Sequence, residues 1–311
     1  MKSRFLGCLL GLACGDAVGT TVEFKPRGTF GPVTDMVGGG PFGLRPGEWT
    51  DDTSLALCLA ESLVDTGGFD AKDQSQRYLR WFREGYLSST GVCFDVGNAT
   101  RNALMKFERT GEPYCGSTDP FSAGNGSIMR LAPAPMFFVD DLELVVQYSA
   151  KSSRTTHGAV EAVDACKLFG VMIALALRGE SKEMVLFGTG QHLRAKSLAP
   201  KIAAIAGGDY RQKNREEIRG NGYVVTSLEA ALWVFLRTEN YEQAVLEAVN
   251  LGEDTDTTAA VVGQLAGAFY GESGIPASWL EKLAMQDLIK QLAIRLFEER
   301  PERNHDYEPG N

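Results

Sequence analysis

The stretch Leu251-Gly252-Glu253-Asp254-Thr255-Asp256-Thr257-Thr258, running into the apolar Ala259-Ala260-Val261-Val262-Gly263, decides how the rest of the chain is read. Upstream, Tyr241 to Asn250 carries Ala244, Val245, Ala248 and Val249 at helical spacing, and Gly252 stands where a helix normally stops. A second helix is expected to open near Thr257. Asp254, Asp256 and Thr257 then crowd its first turn, where unpaired N–H groups and the positive end of the helix dipole attract oxygen and negative charge. One side chain suffices for a cap, worth about 1 kcal/mol. The surplus carboxylates, with Glu253 beside them, would repel unless a cation sat among them, so this stretch alone leaves capping and metal binding both open.

A second acidic helix start raises the weight of the metal reading. Trp49-Thr50-Asp51-Asp52-Thr53 precedes Leu55, Cys58, Leu59 and Leu63, which form a helical stripe. The two clusters lie some two hundred residues apart. If they face each other, four carboxylates and two hydroxyls form an all-oxygen cage, which selects hard cations such as Mg, Mn or Ca over zinc.

Composition narrows the class. The chain has 311 residues, a net charge of -9, a pI near 5.0 and 44% hydrophobic residues, enough for a large core and too acidic for generic nucleic-acid binding. No linker divides it, and the two acidic clusters must meet, so one domain is expected over 1–299 with a frayed charged tail at 300–311. Six scattered cysteines without a CxxC pair read as reduced packing residues of a cytoplasmic protein, and three histidines without HExxH argue against a zinc enzyme. The start Met1-Lys2-Ser3-Arg4 followed by Phe5 to Cys14 superficially resembles a secretory signal. Gly7, Gly11, Gly15 and Gly19 recur every four residues, however, and a smooth stripe invites close helix packing rather than export. The N-terminus is therefore expected to be retained, and no run is expected to reach the roughly 18 apolar residues a membrane span needs.

Along the chain, Asp16 and Glu23 share a face if the first helix continues that far. Lys25 to Gly47, rich in Gly and Pro, reads as a loop, and Asp70 to Leu87 as a helix with an aromatic core stripe. Asp95 precedes a helix through Leu104, Met105 and Phe107 and could simply cap it. Asn125-Gly126-Ser127 is a glycine turn whose N–H groups, amide and hydroxyl at a helix start suit a phosphate or a sugar. Asp140 to Ser153 and Ala159 to Leu177 are further helices, with His157 at the entrance of the second, where a capping role is the commoner one. Tyr223 introduces a helix at Glu229 to Leu236; Pro276 starts another, and Met285 to Glu299 forms the last. Gly263, Gly267 and Gly271 repeat the fourfold spacing of the N-terminal stripe, which suggests that the two smooth helices pack together. No alternation of period two is found, so the fold class is all-α.

The pair of acidic motifs resembles the ADP-ribosylglycohydrolase family, and similar residues cover nearly the whole chain. The resemblance implies a compact single-domain orthogonal helical bundle. It also implies a dinuclear site for two Mg or Mn ions held by Thr50, Asp51, Asp52, Asp254, Asp256 and Thr257. Glu23 falls where the family has a glutamate at the metal site, and Asp95 where glycohydrolases place an aspartate beside the scissile bond. Asn125, Gly126 and Ser127 match the pyrophosphate and ribose contact, His157 a Thr-His near the substrate, and Tyr223 a residue lining the adenine end. Glu253 departs from the usual glycine and is expected to point to solvent. The implied reaction is metal-dependent hydrolysis of the N-glycosidic bond between ADP-ribose and a modified arginine of a protein. Two rivals stay open: another ADP-ribose linkage (serine, a free derivative or nucleic acid), and a non-catalytic ADP-ribose-binding or structural protein on the same scaffold.

Overall fold

The computed structural model describes residues 1–193 and 198–301, and the part of the expected tail beyond Pro301 lies outside them. Among the described residues fourteen α-helices follow in order: α1 (Lys2–Gly19), α2 (Asp51–Thr66), α3 (Ala71–Glu84), α4 (Asn98–Thr110), α5 (Pro133–Phe137), α6 (Leu142–Arg154), α7 (Val160–Arg178), α8 (Lys182–Phe187), α9 (Pro200–Gly207), α10 (Val224–Arg237), α11 (Tyr241–Val249), α12 (Thr255–Tyr270), α13 (Ala277–Lys282) and α14 (Gln286–Glu298). Among the described residues there is no strand, only isolated bridges such as Gly124 with Tyr223.

The centre of the bundle is the antiparallel pair α1 and α12. Gly7, Gly11, Gly15 and Gly19 lie against Gly267, Gly263, Ala259 and Thr255, so close that a Cβ at any of the four would come within 2.5 Å of a facing carbonyl oxygen. Backbone meets backbone here because α1 presents only glycines along the seam and α12 presents Gly267, Gly263, Ala259 and Thr255, whose hydroxyl donates to Gly19 O at 2.6 Å. Tyr241, fully buried on α11, donates its hydroxyl to Gly11 O at 2.6 Å and ties a third helix to the pair. One large apolar core surrounds them, with Phe5, Leu9, Leu12, Trp49, Leu59, Phe169, Phe235 and Leu265 all buried.

By length and composition Lys2–Val22 is apolar enough to cross a bilayer, contrary to the sequence expectation; in the fold it is the core helix, 89% buried. Its composition reflects a helix enclosed on every side. Arg300 is anchored rather than frayed, its Nε donating to Asp140 Oδ2 at 2.8 Å.

The fold delivers the ends of α1, α2 and α12 to one place. α1 stops at Gly19, and Thr20–Val22 tightens into a 3-10 turn before Glu23 becomes extended, so Asp16 and Glu23 do not share a helical face. Phe24 N then donates to Glu253 O at 2.7 Å and Glu253 N to Lys25 O at 2.8 Å, which clamps the segment after α1 to the segment before α12. Phe24 and Glu253 both adopt positive φ, 63° and 71°, at a cost of about 1–3 kcal/mol each that the clamp must offset.

Candidate metal centre and active site

Neither acidic helix start is used as a cap. Thr50 is the N-cap of α2 and Asp254 of α12, yet neither side chain makes a capping bond to the N–H groups of its own helix. Two N–H groups at the start of α2, those of Thr50 and Thr53, are satisfied by Asp16, which reaches across from α1. Its carboxylate accepts from Thr50 N at 2.9 Å, Thr53 N at 3.1 Å and Thr53 Oγ1 at 2.6 Å. Asp16 is therefore structural, and burial raises its carboxyl to about 6. Because a remote residue does the capping, Thr50, Asp51 and Asp52 are free to face α12. Thr50 Oγ1 donates to Asp256 Oδ2 at 3.2 Å, and Thr257 Oγ1 to Asp52 Oδ1 at 3.4 Å. The two clusters thus meet, and capping is excluded as their reason.

Two more acids close the group. Glu23, Asp95 and Asp256 each offer an oxygen, all lying within 4.8 Å of one another. Asp95 does not cap α4, whose N-cap is Gly97; it sits at φ 56°, a left-handed conformation that Asp tolerates better than most residues. Burial and mutual repulsion push Asp51, Asp52 and Asp256 well above the ordinary carboxylate range, Asp95 to about 7 and Glu23 to about 10. The protonated Glu23 hydrogen-bonds Asp95.

The donor set fits hard cations. Asp52 Oδ2 and Asp256 Oδ1 are buried with no hydrogen-bond partner, an arrangement that costs about 1–3 kcal/mol per group unless something else supplies the positive charge. All the facing atoms are carboxylate or hydroxyl oxygens, the chemistry of Mg, Mn or Ca sites rather than zinc. Thr50, Asp51, Asp52, Asp254, Asp256 and Thr257 could hold such ions, with Glu23 and Asp95 at the edge.

These acids form the floor of a cleft of about 780 Å³. Asn125, Gly126 and His157 line one wall, and Asn125 Nδ2 donates to Asp254 Oδ2 at 2.7 Å. Ser127 does not line it: the turn leads into no helix before Pro133, and the buried Ser127 hydroxyl instead accepts from Ser153 Oγ at 3.0 Å. Tyr223 also lies outside, in neighbouring hollows, accepting from Lys201 Nζ at 2.8 Å and donating to Glu161. Trp49 is core, its indole donating to Ala284 O. Glu253, expected to point to solvent, pairs with Arg219 at 2.7 Å and keeps its other oxygen buried. Positive φ explains why glycine suits that position, and the ion pair explains what a glutamate gains there. Sequence reading missed Arg219, Asn221, Phe24, Val96 and Met129 on the walls. None carries a local signal; Phe24 is brought in by the clamp to Glu253, Arg219 and Asn221 by the bond from Asp254 N to Gly220 O at 2.8 Å, and Met129 by its own bond to Asn125 O at 3.3 Å.

A family profile described as ADP-ribosylglycohydrolase matches residues 1–306. The chain is 50% identical to the ADP-ribosylarginine hydrolase Tri1 of Pseudomonas putida, over 96% of this chain and 79% of that one. It is 46% identical to the protein of the same name from Serratia proteamaculans, covering 96% and 80%. The ADP-ribosyl-dinitrogen reductase glycohydrolase of Rhodospirillum rubrum is 32% identical, with 92% of each chain covered. A solved structure titled "ADP-ribosylglycohydrolase-related protein complex" superimposes with a TM-score of 0.86 at 44% identity, covering 96% of this chain and 99% of that one. Fold, acidic cleft and these likenesses converge: the chain belongs to the ADP-ribosylglycohydrolase family of hydrolases.

Proposed function

We propose that this chain hydrolyses the N-glycosidic bond between ADP-ribose and an arginine side chain of a modified protein, using two Mg or Mn ions. The observation that carries the metal reading is the pair of orphaned buried carboxylate oxygens, Asp52 Oδ2 and Asp256 Oδ1, in a cleft floored by acids from two distant helix starts. Support for the arginine linkage comes from the names of the relatives at 46–50% identity. Six unpaired cysteines suit a cytoplasmic setting, which is part of the same proposal.

Thr50, Asp51, Asp52, Asp254, Asp256 and Thr257 would hold the cations. Cations held by these residues would supply Lewis-acid chemistry, positioning the ribose diol and a water and lowering the pKa of that water. The chain's own residues do the rest. Asp95 would pair with the cationic guanidinium, take a proton from the water as its oxygen bonds to the anomeric carbon, and return that proton to the guanidine nitrogen released as the C–N bond breaks. Glu23, hydrogen-bonded to Asp95, steadies it and shares its proton. Asn125 orients Asp254, and the Gly126 turn leaves backbone room for the pyrophosphate, so that remote binding energy places the reacting carbon. The adenine end would extend toward the hollows beside Tyr223.

The deciding experiment offers the purified protein matched ADP-ribosyl-arginine and ADP-ribosyl-serine peptides with Mg or Mn. Release of ADP-ribose from arginine, abolished by chelator, is expected. Full turnover without metal would sink the site assignment, and equal rates on both linkages would sink the arginine assignment alone.

A further inference from the structure

We infer that Arg130 and Thr156 fix His157 as a neutral donor with its proton on Nε2, presented to a phosphate or ribose oxygen of the ligand in the cleft. The ligand part rests on the ADP-ribose reading of that cleft; the assignment of the proton does not.

Arg130 is fully buried and forms no ion pair among the described residues. Its guanidinium lies 4.6 Å from the centre of the Tyr78 ring. Nη1 donates to Gly126 O at 2.8 Å and Nη2 to Thr156 Oγ1 at 2.7 Å. A guanidinium only donates, so the Thr156 oxygen is the acceptor in that bond and its own hydrogen must go elsewhere. The group in reach is His157 Nδ1, 2.8 Å away. Nδ1 therefore carries the lone pair, and the proton of the neutral ring sits on Nε2. The opposite tautomer would aim two donors at Thr156 Oγ1 and leave its hydroxyl hydrogen buried without an acceptor.

The far edge of the ring meets the substrate wall. A Cβ on Gly126 would come within 2.7 Å of His157 Cε1 and 3.0 Å of Nε2, and one on Gly124 within 3.4 Å of Nε2. Both glycines line the cleft with His157, so their missing side chains are what leave that edge accessible. One arginine thus holds the Gly126 carbonyl and, through Thr156, the ring behind it. Protonation of Nδ1 would break the Thr156 bond and set a second cation beside Arg130; burial and Arg130 push the imidazole down to about 3. His157 accordingly acts by donating a fixed hydrogen bond rather than by exchanging protons, and Arg130 and Thr156 are positioning residues.

The test reads the tautomer directly. The chain has three histidines, so nitrogen-15 side-chain spectra of the histidine-labelled, metal-loaded protein are assignable by comparison with His157→Gln. Wild type should show a pyrrole-type Nε2 and a pyridine-type Nδ1, unchanged down to about pH 5.5, below the ordinary histidine range. Thr156→Val should redistribute the proton and weaken ADP-ribose binding roughly tenfold, what losing one hydrogen bond to a charged group implies; Thr156→Ser should restore both. A proton on Nδ1 in wild type overturns the proposal, and so does a Thr156→Val protein with an unchanged tautomer. If Thr156→Val fails to fold, the wild-type spectrum alone decides. The expected tautomer in a protein that does not bind ADP-ribose overturns the ligand part together with the reading of the cleft.

Discussion

Asp254 opens α12 but accepts from Asn125 rather than from the N–H groups of its own helix, and Asp51 and Asp52 leave their helix to be capped by Asp16. Acids spared from capping and then buried against one another raise the energy of the metal-free fold. Asp51→Asn or Asp254→Asn should therefore abolish turnover without lowering the melting temperature of the chelated protein, while removing the rise that Mg or Mn gives wild type. Thermal denaturation with and without metal checks both halves; a large loss of stability in chelator would mean that the acids serve packing. At Asp95 the chemistry differs, because an amide keeps the shape but loses charge and basicity. Asp95→Asn is expected to cut kcat/KM on the arginine linkage more than about a hundredfold, corresponding to roughly 3 kcal/mol of transition-state stabilisation, and to hurt a serine linkage less. At this scale the sequence was most informative where two side chains of one type crowd a helix start. It could not show Ser127 turning inward to Ser153, nor Arg219 meeting Glu253, because those pairs are made by segments far apart in the chain.

The glycine stripes of α1 and α12 could be read directly, since a fourfold spacing of glycines leaves one helix face without side chains. Where α1 would stop was less visible: Gly19 continues the stripe, and the 3-10 turn that follows is set by the clamp at Glu253 rather than by any local stop signal. The seam also has a functional consequence, because α1 leads into Glu23 and α12 begins at the acids proposed to bind metal. Gly15→Ala would put a Cβ 2.2 Å from Ala259 O, a backbone atom that cannot swing aside. Overpacking of this kind costs about 1–3 kcal/mol or more, and parting the helices would also spread the site. The variant is expected to melt lower and to need more Mg or Mn for half-maximal stabilisation. Gly31→Ala, with nothing within 4 Å and no positive φ, is the control and should change neither. Equal metal requirements for the Gly15 variant and wild type would separate the seam from the site.

Taken whole, the molecule gathers acids from four widely separated segments, and its stability must depend on how their charge is balanced. Without metal, the folded state retains protons that the unfolded chain has already released: Asp16 is raised to about 6, Asp95 to about 7, and Asp51, Asp52 and Asp256 well above the usual range, in each case first by burial. A raised carboxyl contributes stability that is complete below its unfolded value, about pH 4, and is lost as pH rises through the folded one. Each retained proton sets a slope of at most about 1.4 kcal/mol per pH unit across that window. His157 works the other way below about pH 6.5, because the unfolded chain binds a proton that the buried ring does not, but it is one group against several acids. Chelated protein should accordingly lose melting temperature as pH rises from about 4, the Asp16 and Asp95 contributions being spent by about pH 7 and that of Glu23, raised to about 10, continuing beyond it. Mg or Mn requires the same carboxylates ionised, so the stabilisation each ion confers should grow over that range, and the loaded protein should show a flatter profile. Melting curves at matched pH, with chelator and with saturating metal, measure the difference directly. A chelated protein whose stability is level or rises across the window would mean that the acids are already neutralised by the fold itself, and the case for cations in the cleft would fall with it.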